Sequence, residues 1–185
     1  MFAVAGLAAM RLPPKTALRN RSLVEIVDFD PSLAHHFKEL NLEWLADFGV
    51  EPLDDIILGN PGENIVAAGG AILFARRAEE IVGTCALIPV FGHPGHFELG
   101  KMAVASAHRA TGIGRQLLAR ALQRFKALGG VDLHLETNSR LSAAIHLYES
   151  VGFEQIVRPG GPSMYTRADV YMVYAMAKQT GEHLC

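Results

Sequence analysis

A glycine-bearing turn between a strand-like run and an amphipathic run holds the residues of this sequence that are best suited to chemistry. It reads Arg109-Ala110-Thr111-Gly112-Ile113-Gly114 and is followed by Arg115. The first N–H groups of a helix have no intrahelical partner, and the helix dipole places partial positive charge at the same end. Gly112 and Gly114 have no Cβ, so an anion can approach the main chain closely. The turn therefore predicts a binding site for phosphate groups, with an arginine at either side.

Two common phosphate motifs do not describe this turn. A Walker loop requires Gly-Lys-Ser/Thr, whereas Gly114 is followed by Arg115 and Gln116. A dinucleotide fingerprint requires a third glycine where Leu117 stands. The pattern that fits is Arg or Gln, two residues, Gly, one residue, and Gly or Ala, between a strand and a helix.

A second block follows at a fixed distance and completes a resemblance. It comprises Leu135-Glu136-Thr137-Asn138, residues 143–149 (AAIHLYE) and Val151-Gly152-Phe153. Together with the glycine turn, it resembles the signatures of the GNAT superfamily of N-acetyltransferases, over residues 97–153. The resemblance implies an α/β (α+β) fold, the GNAT fold, with a mixed, mostly antiparallel central sheet of six to seven strands flanked by about four helices.

The resemblance also implies acetyl-CoA as the cosubstrate and no metal. The pantetheine is expected to bond to the backbone around Met102, Ala103 and Val104, and the pyrophosphate to lie on the N–H groups of the glycine turn. The predicted coenzyme-binding set is Met102, Ala103, Val104, Arg109, Ala110, Thr111, Gly112, Ile113, Gly114, Arg115 and Asn138.

Tyr148 is the predicted proton donor of an acetyl transfer. Helical spacing places it on one apolar stripe with Leu141, Ala144 and Ile145, so its phenol is expected at the inward end of that stripe. A phenol there can protonate a departing thiolate, and Tyr148 matches the position of the family's usual general acid. The alternative is a core aromatic residue whose hydroxyl binds any available partner.

Glu98 is the candidate general base. Alternation along the strand predicts that it shares a face with Gly100, Met102 and Val104, while Lys101 points the other way. Some members of the family use a glutamate of this strand as the base, directly or through water. The alternative is a solvated or salt-bridged strand residue.

One position departs from the family pattern. Many members carry an asparagine where Leu141 stands, and that asparagine contacts the pantetheine or a catalytic water. Asn138 can take over part of this role, or it can simply cap the following helix. Ala110 also stands where glycine is common.

The acceptor is the least determined partner. Family members shape the acceptor site with segments that correspond to residues 41–58 and 159–167. Glu51, Asp54 and Asp55 can attract a cationic amine, and Trp44 can pack against it, or the acids can belong to an ordinary helix start. A primary amine of a small molecule or amino acid is the preferred acceptor, and a protein lysine or N-terminus is the second. The rival class is a non-catalytic module that binds acyl-CoA as a sensor or regulatory unit.

Composition limits the remaining partners. Of the 185 residues 50% are hydrophobic, which suits one domain, predicted over residues 21–178 with tails at 1–20 and 179–185. The net charge of -2 gives no reason to expect nucleic acid or an anionic membrane as a partner. The apolar residues 1–10 are too few to span a bilayer. Two cysteines form no disulfide framework, so a cytoplasmic location is predicted. The resemblance is compatible with a homodimer.

The histidines are not expected to bind metal. His93 and His96 have a suitable spacing, but proline and glycine lie between them and no third ligand is paired with them. His134 and His146 are expected to be structural or solvated.

Periodicity and turn signals predict the elements that position these groups. Asp30-Pro31 is expected to begin the first helix, whose apolar face carries Leu33, Phe37, Leu40 and Trp44. The remaining predictions are strands at 22–29, 71–76, 81–89, 97–104, 131–136, 154–157 and 169–176, and helices at 52–58, 113–128 and 139–150.

Overall fold

A computed structural model describes residues 23–175, and within that range a seven-stranded sheet forms the centre of the molecule. The strands are β1 (Val24–Asp28), β2 (Ala71–Arg77), β3 (Glu80–Pro89), β4 (His96–Val104), β5 (Asp132–Thr137), β6 (Phe153–Ile156) and β7 (Val170–Tyr174). Their order is β1-β2-β3-β4-β5-β7-β6, and only β4 and β5 run parallel. The predicted mixed, mostly antiparallel sheet is confirmed.

Four α-helices within the described residues cover both faces of the sheet. They are α1 (Ala34–Leu45), α2 (Pro52–Gly59), α3 (Ile113–Ala127) and α4 (Ser142–Glu149). The first two pack on one face, and α3 and α4 pack on the other. Short helical turns at Pro31–Leu33, Gly62–Ala67 and Ser106–His108 complete the connections. Their π-helical and 3-10 geometry was not predicted.

Local signals explain where these helices begin. Asp30 accepts a hydrogen bond from the Ser32 N–H at 2.9 Å, and Pro31 follows it, as predicted. At α2, the side chains of Glu51 and Asp54 form a capping box around the first turn. Acidic residues at this position are therefore part of the helix start.

The apolar face of α3 anchors the anion turn to the core. Ile113, Leu117, Leu118, Ala121 and Phe125 are at most 2% exposed and share one face of the helix. Fully burying one large apolar side chain stabilises a fold by about 1.5–3 kcal/mol. The start of α3 is consequently held rigidly beside β4.

A β-bulge in β4 changes which residues share a face. Thr84 and Ala86 of β3 lie opposite Ala103 and Gly100, so one extra residue is inserted in β4, and Lys101 has a φ of 51°. The inserted residue reverses the alternation. Met102 therefore packs in the same core as α3, while Lys101 turns towards α2.

The predicted face of Glu98 is therefore wrong in part. Phe97 and Leu99 belong to the core beneath α3 and α4, so Glu98 and Gly100 face the opposite side. The bulge returns Met102 and Val104 to the α3 side. Glu98 thus shares its side of the sheet with Lys101 and not with Met102 and Val104.

Among the described strands, the only parallel pair separates along its length. Within residues 23–175, β4 and β5 are paired only at His96–Asp132, Phe97–Leu133 and Glu98–His134. Beyond these pairs β4 continues to Val104 beside β3, whereas β5 leads into the turn before α4. The separation leaves one edge of residues 99–104 available to another hydrogen-bonding chain.

Some predictions lie outside the described residues or differ from them slightly. The tails at 1–20 and 179–185 and the strand ends at Ser22 and Met176 are outside residues 23–175. α4 begins at Ser142 and not at residue 139. No helix within the described range is long and apolar enough to cross a lipid bilayer.

Candidate functional site

A groove of about 700 Å³ opens where β4 and β5 separate. Its walls come from β4, the turn before α3, the end of β5, and the start of α4. The predicted site residues that line it are Glu98, Met102, Ala103, Val104, Arg109, Ala110, Gly112, Ile113, Gly114, Arg115, Asn138 and Tyr148. Thr111 does not line the groove, because its hydroxyl turns back to donate to the His108 carbonyl at 2.6 Å.

The glycine turn forms the anion-binding end of this groove. Gly112 is the N-cap of α3 with a φ of 85°, and a Cβ added there would meet no atom within 4 Å. Glycine is favoured here by backbone conformation and not by crowding. A Cβ on Gly114 would lie 3.2 Å from Leu147 Cδ2, so Gly114 allows α3 to approach α4 closely. The first-turn N–H groups of α3 therefore meet the groove without side chains in the way.

The two arginines beside the turn have different surroundings. Arg109 donates to the Val104 carbonyl and to the Glu43 carboxylate, both at 3.0 Å. Glu43 also accepts from the Ser106 N–H at 2.9 Å, so Arg109 ties the turn to α1. Arg115 is exposed at the groove and has no hydrogen-bond partner within residues 23–175. Its guanidinium is the freer of the two to meet an anion.

Tyr148 presents a weakly bonded phenol to the groove. The residue is 8% exposed, and its ring packs edge-on against Phe153 with centroids 5.9 Å apart. Its hydroxyl lies 3.8 Å from Met102 Sδ, and sulfur is a weak acceptor. Burial raises the pKa of the phenol above its ordinary value. Tyr148 therefore keeps its proton at neutral pH.

Glu98 lies on the other side of β4 and lines the same groove. Burial and, second, the negative charge of Glu136 together raise the pKa of its carboxyl to about 7. The cationic Lys101 opposes these two effects. Glu98 can therefore take up and release a proton near neutral pH.

A buried ion-pair network forms the wall beyond Glu98. Asp54 is 0% exposed and accepts from both Nη atoms of Arg167, at 2.7 and 2.9 Å, and from Lys101 Nζ. Burial alone would raise the pKa of Asp54, but the hydrogen bonds from Arg167 and Lys101 outweigh it and lower that pKa. Burial lowers the pKa of Lys101. Lys101 Nζ also donates to the Tyr165 hydroxyl at 2.9 Å.

Glu51 and Asp54, the acids considered above as binding groups for a cationic acceptor, belong to this network. Residues 157–169, here called the strap, bring Arg167 onto Asp54 and the backbone of Thr166 onto Glu51. Arg167 also lies over the Trp44 ring at 5.5 Å. The hypothesis that Glu51 and Asp54 attract an amine is therefore wrong, because their carboxylates already bind the strap and cap α2.

Asn138 joins the strap to the groove. Its Nδ2 donates to the Arg167 carbonyl at 2.6 Å, and its Oδ1 accepts from the Arg140 N–H at 3.0 Å. It does not cap α4, whose N-cap is Leu141 and makes no side-chain capping bond. The capping alternative is therefore wrong, and both residues line the groove.

Sequence reasoning did not assign roles to the residues that surround Glu98. Lys101, Glu136, Tyr165 and Arg167 all line the groove. Glu136 belongs to the second sequence block, which is the one signal that could have identified it. The turn of Lys101 depends on the β-bulge, and Tyr165 and Arg167 come from an irregular strap without periodicity.

The histidines lie elsewhere. The rings of His93 and His96 are 5.6 Å apart, and neither residue lines the groove. His134 stacks on Tyr171 at 5.2 Å, and His146 is exposed.

Comparisons with known proteins agree with this architecture. The model of the acetyltransferase (GNAT) family matches residues 33–153. An uncharacterized N-acetyltransferase of Escherichia coli, YjgM, is 33% identical over 153 residues, which cover 78% of this chain and 87% of that protein. N-acetyltransferase 8B of Rattus norvegicus is 33% identical over 90 residues, or 47% of this chain and 40% of that protein. The match thus spans about 40% of the length of the rat relative.

Solved structures share the fold at low identity. A GNAT acetyltransferase of Staphylococcus aureus superposes with a TM-score of 0.73 at 23% identity, covering 82% of this chain and 98% of that one. An acetyltransferase of Salmonella typhimurium, solved with acetyl-CoA, gives 0.67 at 20% identity, covering 89% and 100%. The fold that the sequence motifs implied is confirmed.

Proposed function

This chain belongs to the acetyltransferase (GNAT) family, and from that premise we propose that it transfers the acetyl group of acetyl-CoA to a primary amine. One observation carries the proposal. Where β4 and β5 separate, one groove is lined by the glycine turn, the phenol of Tyr148 and the carboxyl of Glu98. Coenzyme binding requires an anion site, and acetyl transfer requires one group that accepts a proton and one that donates a proton.

The coenzyme would lie along the groove from the turn to the strand separation. Its pyrophosphate would accept from the first N–H groups of α3, with Arg115 adding charge. Its pantetheine amides would bond to the edge of residues 102–104 that β5 leaves unpaired. The thioester would then reach the point where Tyr148 and Glu98 flank β4. The acetyl-CoA in the Salmonella typhimurium structure supports a coenzyme site in this fold.

The proposed reaction is a direct attack. The amine nitrogen forms a bond to the thioester carbonyl carbon, and the C–S bond breaks as the tetrahedral intermediate collapses. The proton lost from nitrogen passes to the carboxylate of Glu98, directly or through water. The departing sulfur takes the proton of the Tyr148 hydroxyl, and after the products leave, the phenolate regains a proton from solvent and Glu98 releases one to it. The two protons therefore move on opposite sides of β4.

The acceptor is proposed to be a small-molecule or amino-acid amine. The groove wall beyond Glu98 includes Trp44, Phe48, Tyr165 and Arg167, and the charge of Arg167 is matched by Asp54 and Glu51. Such a wall favours the uncharged, attacking form of an amine over its ammonium form. A protein lysine or N-terminus is the second class of acceptor.

The test is a thiol-release assay with purified protein, acetyl-CoA and a broad panel of amines. We expect micromolar binding of acetyl-CoA, together with thiol release that depends on the amine and equals the acetylated product. Binding without amine-dependent thiol release would contradict catalysis and favour an acyl-CoA sensor. Turnover of peptides but not of small amines would mean that the acceptor is a protein lysine or N-terminus. The proposed acetyl transfer would still hold.

A further inference from the structure

Glu136 brings a second carboxyl group into the groove beside Glu98. Glu98 lies opposite His134 across the parallel pair of β4 and β5, and Glu136 follows two residues later on the same face of β5. Both glutamates line the groove. Their carboxyl groups therefore interact through a region partly screened from water.

The strap fixes the Glu136 carboxylate in place. Arg158 Nε donates to its Oε1 at 2.6 Å, and the Ser163 hydroxyl donates to its Oε2. Arg158 in turn donates to the carbonyls of Gly161 and Pro162, each at 2.8 Å. The side chain of Glu136 is 8% exposed. Both of its oxygens are held by donors, so Glu136 can act as a stationary negative charge.

We propose that Glu136 is a positioning residue that acts on the reaction through Glu98, by holding a fixed negative charge beside the group that takes the proton of the acceptor amine. The inference rests on the proposed function, in which Glu98 is the base. It deepens that function, because the strap then holds the Glu136 carboxylate in place in addition to shaping the acceptor site.

The charged groups that face Glu98 come from several elements. They are Glu136 of β5, Lys101 of β4, and Arg158 and Arg167 of the strap; the phenol Tyr165 and the imidazole His134 adjoin them. Burial and the charge of Glu136 raise the pKa of Glu98, the three cations oppose that increase, and the net pKa is about 7. A base with a pKa near the working pH accepts a proton more effectively than an ordinary carboxylate. When two carboxyl groups have different surroundings, one commonly titrates near the working pH while the other stays ionised.

Glu136→Gln removes the fixed charge and keeps the shape. We expect the acid limb of the pH profile of kcat/KM to move about one pH unit lower, since one neighbouring charge in a partly buried site changes a carboxyl pKa by roughly that amount. Arg158→Gln removes the opposing cation and should move the same limb higher. Glu154→Gln is the matched control, because Glu154 is exposed on the same face, two strands beyond β5. It should leave the limb unchanged.

A purely structural role for Glu136 predicts another result. The Glu136→Gln protein would then lose activity by the same factor at every pH, with the midpoint unchanged, and the inference would be overturned. Opposite shifts in Glu136→Gln and Arg158→Gln cannot arise from general loosening of the strap. Thermal unfolding of each variant identifies one that does not fold, and in that event the other variant carries the test.

A titration without turnover separates this inference from the proposed function. The 13C resonance of the Glu98 carboxyl, assigned by its absence in Glu98→Gln, reports its protonation directly. We expect a midpoint near pH 7 in the unmodified chain and about one unit lower in Glu136→Gln. An unchanged midpoint overturns the role of Glu136 even if the chain is an active enzyme. A shifted midpoint in a chain without turnover supports the electrostatic coupling and contradicts the proposed reaction.

Discussion

Glu98 of β4 lies opposite His134 of β5 in the last register pair that joins these parallel strands within residues 23–175. Beyond this pair the strands separate, and the groove that contains the anion turn and Tyr148 begins. The candidate base is therefore at the point where a coenzyme lying along β4 would present its reactive end. The pairing of two strands, and not a loop, fixes this position.

The first prediction concerns Tyr148→Phe. Removing the hydroxyl should lower kcat by roughly 10²–10⁴-fold, because the thiolate loses its proton donor. The dissociation constant of acetyl-CoA should change little, since the hydroxyl bonds only to the Met102 sulfur among the described residues. Steady-state kinetics and calorimetric binding measure the two quantities. Tyr174→Phe is the control, because Tyr174 packs on Phe153 without lining the groove. Equal kcat in Tyr148→Phe and the unmodified chain would remove the phenol from the reaction.

The second prediction concerns Gly112→Leu. A leucine there must adopt a φ of 85° or distort the start of α3, at a cost of about 1–2 kcal/mol, and its side chain would occupy the pyrophosphate position. Acetyl-CoA binding should be abolished. Gly129→Leu is the matched control, because Gly129 has a φ of 70°, equally open surroundings, and a place at the other end of α3. Both variants should lose similar stability, but only Gly112→Leu should lose the ligand. Normal affinity in Gly112→Leu would contradict the phosphate turn.

Several features of the site follow from the sequence, and the reasons differ. Gly112 and Tyr148 could be assigned because a local turn and a helical stripe fix their places, and both lie as expected. The environment of Glu98 could not be predicted from the sequence, because one bulged residue at Lys101 reverses the alternation of β4. The partners of Asp54 could not be predicted from the sequence either, since Arg167 reaches it from an irregular segment 113 residues away. Local geometry is encoded in short patterns, whereas long-range ion pairs depend on the whole fold.

The third prediction concerns the stability of the buried network. Asp54→Asn leaves Lys101 and Arg167 without their shared carboxylate, which typically costs about 3–5 kcal/mol. Urea denaturation at pH 7 measures the loss, and Asp55→Asn on the exposed side of the same helical turn should change little. The folded chain lowers the pKa of Asp54 below its unfolded value. Its contribution is therefore present above about pH 4 and is lost as the pH falls towards the folded pKa.

The control for that assignment is the acid limb of the stability curve. Asp54→Asn should show a shallower decrease in unfolding free energy below pH 4 than the unmodified chain. Equal stability of Asp54→Asn and Asp55→Asn at pH 7 would mean that the network contributes nothing to folding.

The fourth prediction concerns the pH dependence of Glu98. In the proposed reaction its carboxyl must be deprotonated, so kcat/KM should rise with pH through about 7. The folded pKa is raised, so the folded state loses stability as the pH rises from about 4.5 to about 7. Glu98→Gln should remove both effects. It should lower activity and, at pH 8, increase the unfolding free energy by on the order of 3 kcal/mol.

Thermal and urea unfolding at pH 5 and pH 8 provide the comparison. The Glu98→Gln protein should gain stability at pH 8 relative to the unmodified chain and gain little at pH 5. A gain of equal size at both values would mean that the carboxyl titrates outside this range.

Amine-dependent release of thiol from acetyl-CoA tests the central claim most directly. With the unmodified chain, at least one amine of a broad panel should give thiol release above the rate of hydrolysis, with one acetylated product for each thiol. Saturable binding of acetyl-CoA without amine-dependent release, across small amines and peptides alike, would contradict the acetyltransferase and leave a coenzyme-binding module.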